Sequence, residues 1–297
     1  MSDAKLICNP MAGRGRAGQL LPEIRSTLKS LGMATDAVAT RAPGDAIQLA
    51  AEAHQAGFPL VIAVGGDGTV NEVANGLVQA AQDQIAGQLG VIPVGTGNDF
   101  FKMLRPKDNW HVACTHIAER KIQRCDVGRV NNRYFVNNVG IGFDAQVGIE
   151  AQKIRWLRGQ AVYVLALARN MLYSYRTPQV TLKLDDQTIK QSITLCTIGN
   201  GRCSGGGFWL TPNAEIDDGW LDVCFVNALS KPRILALVPR VMKGTHIHDA
   251  EVRTVRAKRI SIASSEPLPV HADGEILYTE AHQLEIEILP AKLEVVL

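Results

Sequence analysis

The sequence predicts an α/β N-terminal domain built on a parallel sheet in three layers, followed by a mainly antiparallel β-sandwich. Two observations carry this. Strand and helix patterns alternate through residues 1–125, whereas extended runs dominate after Asp126. In addition, the apolar run Pro59-Leu60-Val61-Ile62-Ala63-Val64 ends in Gly65-Gly66-Asp67-Gly68-Thr69 and hands over to a helical pattern. At 297 residues the chain is long enough for two domains and ample core.

In order, Lys5-Leu6-Ile7-Cys8 reads as a short strand, and residues 19–31 carry apolar positions at helical intervals. Residues 34–40 are strand-like. Pro43-Gly44-Asp45 opens a helix through Ala56, with Pro43 near the first turn, where proline is tolerated. Leu60 to Val64 follows, then the glycine loop with its helix, then the strand Leu89-Gly90-Val91-Ile92-Pro93-Val94. This rhythm implies parallel strands covered by helices on both faces.

Beyond Asp126 the extended runs are 133–139, 179–184, 192–198, 220–226, 259–263 and 284–289. Asp185-Asp186-Gln187 reads as a hairpin turn. Helical patterns interrupt at 158–173 and 231–242. The boundary is expected near Arg124-Cys125-Asp126, giving domains 1–125 and 126–289. In open α/β sheets ligands bind beyond the carboxyl ends of the strands, so the active site is expected in the cleft between the domains.

The glycine loop points to phosphate. Glycines let the backbone approach a ligand closely and accept positive φ, and a helix start adds unpaired N–H groups and a positive dipole end. A second glycine turn, Gly95-Thr96-Gly97-Asn98-Asp99, follows the next strand and is expected at the same sheet end, as the opposite wall of one phosphate pocket. Gly13-Arg14-Gly15-Arg16-Ala17-Gly18 also matches a dinucleotide fingerprint, with Asp36 beyond it. Asp36 falls early in its strand rather than at the carboxyl end, which argues against a ribose carboxylate. Arg14 and Arg16 remain open as phosphate contacts or as solvated arginines.

Two acidic turns lie in the second half. Glu215-Ile216-Asp217-Asp218-Gly219-Trp220-Leu221-Asp222 packs four carboxylates before a strand, suited either to a hard cation or to water. His271-Ala272-Asp273-Gly274-Glu275 places two carboxylates around a glycine, a base-and-organiser pair or a simple turn.

Composition excludes several classes. The 31 basic residues nearly balance 29 acidic ones, giving +2, too even for a broad nucleic-acid-binding face. No apolar run approaches the ~20 residues needed to cross a bilayer, and the N-terminus lacks an export-signal pattern. Six cysteines without a Cys-x-x-Cys pair read as reduced, mostly buried thiols of a cytoplasmic protein. The pairs His246/His248 and His111/His116 read as scattered histidines rather than metal ligands.

Taken together, Gly65 to Thr69 with Asn71-Glu72, Gly95 to Asp99, Asp217-Asp218-Gly219 and Asp273-Gly274-Glu275 resemble the diacylglycerol kinase catalytic-domain family in content and order. Asn9-Pro10-Met11-Ala12-Gly13-Arg14-Gly15 is similar to that family's first loop. The likeness spans nearly the whole chain and is nearest to the bacterial soluble lipid kinases of YegS type. More distant relatives are the sphingosine and ceramide kinases and NAD kinase.

The resemblance implies an N-terminal domain like that of NAD kinase and phosphofructokinase, a C-terminal β-sandwich, and a return of residues 290–297 to the first domain. It implies ATP contacts at Thr40, Gly66, Asp67, Gly68, Thr69, Val70, Asn71, Glu72 and Thr96. It implies Mg²⁺ held by Asp218 and by the main-chain carbonyls of Glu215 and Trp220, and a proton acceptor at Glu275. Asp273 and Asp67 would organise the reaction, with Asp67 the rival base.

The expected partner is a lipid alcohol reached by transient contact with the inner membrane surface, with no nucleic acid; a homodimer is one assembly left open. Lys153, Arg155, Trp156 and Arg158 leading into 161–172, and 231–243 with Arg233 and Arg240, are the candidate docking stretches. The alternatives are a small-molecule kinase like NAD kinase and a nucleotide-sensing module without turnover.

Overall fold

The computed structural model describes residues 2–105, 107–154 and 160–296. Arg155, Trp156 and Arg158 therefore lie outside the described residues. The chain divides into two compact units, Met1–Val127 with Leu289–Leu297, and Gly128–Ile288.

The first unit contains β1 (Ala4–Cys8), α1 (Arg16–Ser30), β2 (Thr35–Ala39), α2 (Asp45–Gln55), β3 (Leu60–Gly65), α3 (Asp67–Ala81), β4 (Gln88–Pro93), α4 (Asp99–Leu104) and α5 (Trp110–Glu119). The pairings among β1, β2, β3 and β4 are parallel. β1 lies between β2 and β3, and β3 pairs with β4. Outside β4, Glu294, Val295 and Val296 from the end of the chain's last strand add a further parallel partner.

The strands are apolar because both sheet faces are covered; all six residues of β3 are buried. Ala17, Ile24 and Leu28 of α1 share a core with Trp110, Cys114 and Ile117 of α5. α2 and α3 pack so closely that a Cβ at Gly76 would lie 2.1 Å from the Ile47 carbonyl oxygen.

Pro43 precedes α2 instead of sitting in its first turn. Gly44, at φ 89°, caps the helix, because the helix-start N–H groups of Gly44 and Ala46 turn to the Glu72 carboxylate at 2.9 and 3.1 Å. Helices α4 and α5 have no counterpart in the sequence patterns.

The second half of the chain contains β5 (Ile122–Val130), β6 (Arg133–Phe135), β7 (Asn138–Gly142), α6 (Phe143–Gln152), α7 (Gln160–Tyr173), β8 (Gln179–Leu184), β9 (Gln187–Gly199), β10 (Leu221–Asn227), α8 (Lys231–Met242), β11 (Val252–Ala257), β12 (Arg259–Ala272) and β13 (Glu275–Val296). β5 begins in the first unit, and β13 ends there. In the second unit the pairings are antiparallel. β8 and β7 lie end to end between β9 and β12, each bonding both neighbours. β10 pairs with β9, and β11 with β10.

Val180, Leu182 and Leu184 of β8 and Val139 and Ile141 of β7 reach one core cluster, with Phe225, Ile262 and Leu284. The predicted single strand 133–139 is broken. Val136, Asn137 and Asn138 turn their N–H groups to a carboxylate instead of a neighbouring strand. α6 and the strands β5 and β11 were absent from the sequence patterns.

Candidate active site

The first glycine loop is tighter than the sequence suggested. α3 begins at Asp67, with Gly66 as its cap at φ −108°, so Gly68 lies inside the first helical turn. Neither Gly65, Gly66 nor Gly68 has positive φ; at Gly65 and Gly66 close approach, not left-handed backbone, is what demands glycine. A Cβ at Gly95 would lie 2.3 Å from the Gly66 Cα, and one at Gly65 would lie 2.3 Å from Thr69 Oγ1. The two glycine turns therefore abut directly.

Asp67 joins them further. Its Oδ1 accepts the Phe100 N–H at 3.0 Å, at the start of α4. The loop after β1 reaches the same sheet end, because a Cβ at Gly13 would lie 2.2 Å from the Val94 carbonyl oxygen. Arg14 and Arg16 there are exposed. The first-turn N–H groups of α3, at Asp67, Gly68 and Thr69, have no carbonyl within their own helix to accept them. A 15-residue helix adds its dipole at that point. This end of the sheet is chemically suited to an anion.

The other implied nucleotide residues divide into two groups. Thr96 is exposed on the second loop, and Thr40 follows β2, its N–H bonded to the Cys8 carbonyl at 2.9 Å. By contrast, Thr69, Val70 and Asn71 are buried, and both Glu72 carboxylate oxygens cap α2. These four side chains build the loop's support. Asp36 pairs with Lys5 Nζ at 2.7 Å near the amino end of its strand, on the wrong side for a ribose. Lys5 draws its pKa below the ordinary carboxylate range.

In the second unit, Asp273 (φ 47°) and Gly274 (φ 85°) form the two-residue turn that joins β12 to β13, the left-handed pair expected of a tight hairpin. Asp273 is buried. Its carboxylate accepts three successive N–H groups, from Val136 at 2.8 Å, Asn137 at 3.0 Å and Asn138 at 2.8 Å. Three donors converging on one carboxylate hold it fixed in place. It anchors the segment between β6 and β7. Glu275 opens β13, half-buried, and its Oε2 accepts from Arg133 Nη2 at 2.7 Å.

The acidic turn is only partly solvated. Asp218 Oδ1 accepts the Trp220 N–H at 3.0 Å, and Arg256 lies 3.1 Å from Asp218 Oδ2 and 3.5 Å from Asp222 Oδ2. Burial raises the Asp222 pKa, Arg256 opposes that rise, and Asp218 and Glu215 add to it. Asp222 thus belongs to the cluster, whereas Asp217 and Glu215 are exposed. Oxygen donors of Asp218 and Asp222, only partly balanced by Arg256, are of the type a hard cation such as Mg²⁺ takes. Among the described residues, no group of three or more His, Cys, Asp or Glu side chains is arranged to hold a metal. A cation here would need the carbonyl oxygens as well.

Sequence patterns gave no sign of Arg133 or Arg256, because their partners lie far along the chain. Nor did they show that Asp144, on α6, lies between Thr197 and His271. Its Oδ2 accepts from Thr197 Oγ1 at 3.1 Å and is 3.7 Å from His271 Nε2. Gly140, between Thr197 and His271 in the sheet register, leaves the space; a Cβ there would come within 2.2 Å of both Asp144 Oδ2 and His271 Nε2. All six cysteines are buried thiols; burial pushes the Cys8 pKa up to about 11.

Comparison with known proteins accounts for both units. Residues 3–130 match the diacylglycerol kinase catalytic domain, and residues 137–297 match the YegS C-terminal NAD kinase beta sandwich-like domain. A diacylglycerol kinase of Bacillus subtilis (strain 168) is 31% identical over 277 residues, 93% of this chain and 90% of that one. A diacylglycerol kinase of Staphylococcus carnosus (strain TM300) is 31% identical, over 92% of this chain and 88% of that one.

Among solved structures, a diacylglycerol kinase from Bacillus anthracis str. Sterne superposes with a TM-score of 0.75 at 26% identity, covering 99% of this chain and 96% of that one. Yeast NADH kinase complexed with NADH, at 10% identity and a TM-score of 0.53 over 99% and 83% of the chains, shares the fold alone. Fold and similarity define a kinase. The chain belongs to the diacylglycerol kinase family.

Proposed function

We propose that the protein transfers the γ-phosphoryl group of ATP, with Mg²⁺, to the hydroxyl of a lipid such as diacylglycerol or phosphatidylglycerol. The observation that carries this reading is similarity to diacylglycerol kinases along more than nine-tenths of the chain. The abutting glycine loops at the head of α3 support it chemically.

In this reading the N–H groups of Asp67, Gly68 and Thr69 hold the ATP phosphates, with Gly66, Val70, Asn71 and Glu72 shaping the loop and Thr40 and Thr96 beside it. Positioning and electrostatics dominate, as phosphoryl transfer generally requires. Glu275 takes the proton as the lipid hydroxyl oxygen bonds to the γ-phosphorus and the bond to the ADP oxygen breaks. Asp273 fixes the hairpin that carries Glu275, and Arg133 orients its carboxylate. Asp218 and the carbonyls of Glu215 and Trp220 would hold Mg²⁺, which supplies positive charge when bound.

The setting is the cytoplasm, at the inner membrane surface where such an acceptor lies.

The test is incubation of the purified protein with labelled ATP, Mg²⁺ and a total lipid extract, beside a parallel reaction with NAD. A labelled phospholipid is the expected product. Label in NADP alone would replace the reading with a small-molecule kinase. ATP binding without transfer to either acceptor would leave a nucleotide-sensing module.

A further inference from the structure

Helices α7 and α8 are apolar on both faces. In α7, Ala166 and Met171 are buried, while Ala161, Val164, Ala168 and Leu172 follow at three- and four-residue spacing along the exposed side. Val164 is 64% exposed and Leu172 69%. In α8, Ile234 and Leu237 are buried, whereas Pro232, Leu235, Ala236 and Pro239 are exposed. A helix covering the core of a water-soluble domain presents polar residues on that outer side. Isolated apolar residues need no explanation, but aligned ones on neighbouring helices mark a contact surface.

Two further observations fix its character. Asn170 of α7 is fully buried, and among the described residues neither atom of its amide has a hydrogen-bond partner. The helix thus turns a polar amide inward and apolar side chains outward, the reverse of the arrangement water selects. Met171 of α7 and Ile234 of α8 lie in one buried cluster with Phe143, so both helices cover the same part of the second unit's core.

Charge selects the occupant. Neither helix contains an acidic residue. Arg169, Arg176, Lys231, Arg240 and Lys243 are exposed around the stripes. Of these, Arg169 is paired with Glu150 and Arg240 with Asp249, so the excess positive charge of the rim comes from Arg176, Lys231 and Lys243. Apolar stripes rimmed by cations fit an anionic lipid surface. No helix among the described residues is long and apolar enough to cross a membrane, which leaves binding in the plane of the headgroups.

We propose that α7 and α8 together form a platform that docks on an anionic bilayer. The proposal draws its purpose from the lipid-kinase reading but is measured without it. The probe is vesicles of phosphatidylglycerol and phosphatidylcholine, with pure phosphatidylcholine vesicles beside them, sedimented with the full chain at low and high salt. The wild type is expected to sediment with the anionic vesicles at low salt and to be released by high salt. Val164→Glu/Leu172→Glu/Leu235→Glu is expected to lose at least tenfold in vesicle affinity while keeping its melting temperature, because all three side chains face outward. Should the triple variant fail to fold, Leu172→Glu alone carries the comparison, with a severalfold loss expected.

Absence of wild-type binding, or unchanged binding by the variants, overturns the proposal. So does a wild-type dimer in vesicle-free sedimentation that the substitutions convert to monomer, since the stripes would then meet a second copy. Product formation from detergent-dispersed lipid separates the two readings. Sedimentation without any lipid product defeats the kinase reading alone, and lipid product with unaltered sedimentation of the variants defeats the platform alone.

Discussion

The Asp67 carboxylate of the first glycine loop accepts the Phe100 N–H at the start of α4, 33 residues further on. One side chain therefore ties the start of α3 to the loop after β4, and Asp67→Ala should cost more than a charge. Losing a helix-start acceptor destabilises by about 1 kcal/mol, and the freed loop should also weaken ATP binding. Asp67→Asn retains an oxygen for Phe100 and should keep most of the stability. Thermal melts together with ATP titrations check both. Equal destabilisation by Asn and Ala would show that charge, not the Phe100 bond, is what Asp67 contributes.

The contact between the glycine turns ranks two substitutions. A Cβ at Gly95 would lie 2.3 Å from the Gly66 Cα, while one at Gly66 would lie 3.1 Å from the Gly95 Cα. The first cannot be accommodated without moving backbone; the second needs only a few tenths of an ångström. Gly95→Ala should therefore abolish ATP binding, and Gly66→Ala should reduce it severalfold. Isothermal titration of both variants, with circular dichroism to confirm folding, tests the order. A reversal would mean that Gly66 is reserved for the ligand itself.

These relationships mark the limit of what the sequence could disclose. β3, its glycines and the helical run of α3 are contiguous, so strand, turn and helix were legible as one local pattern. The Asp185 hairpin was legible for the same reason. The three N–H groups on Asp273 come from 135 to 137 positions away, and no local periodicity records them; they are also why the expected strand 133–139 is broken. β13 runs for 22 residues, but Tyr278-Thr279-Glu280-Ala281-His282-Gln283 within it is largely polar and exposed, so only its apolar stretch showed. The loss of glycine's positive φ at Gly65 and Gly66 was hidden because a close approach and a left-handed turn select the same residue.

Asp273 and Glu275 should separate cleanly. Asp273→Ala strands three buried N–H groups, and bonds to a charged acceptor contribute about 1.5–3 kcal/mol each without adding fully. A loss of at least about 2 kcal/mol in chemical denaturation is expected. Glu275→Gln keeps shape and an acceptor for Arg133, so stability should hardly change, while turnover falls by about 10² to 10⁴ with ATP affinity retained. If Glu275→Gln kept more than about a tenth of the rate while Asp67→Asn did not, the base would be Asp67.

The acidic turn makes a prediction about pH. Burial raises the Asp222 pKa above its ordinary value, helped by Asp218 and Glu215 and opposed by Arg256. The folded state then binds this proton more tightly than the unfolded chain. Its contribution to stability is complete below the unfolded carboxyl value of about 4 and is lost as pH rises through the higher folded value. At neutral pH without metal, ionised Asp222 is therefore a burden, and Asp222→Asn should raise the melting temperature. The gain should shrink as pH falls through the raised folded value, since the wild type then takes up the proton itself. It should shrink again when Mg²⁺ is added, since a bound cation stabilises the state that binds it and favours the ionised form. Asp218→Ala should remove the Mg²⁺ effect, and exposed Asp217→Ala should leave it intact. Melting curves in chelator and in Mg²⁺ at neutral and at acid pH decide the matter; a lower melting temperature for Asp222→Asn in chelator at neutral pH would mean that the Arg256 pairing outweighs the burial.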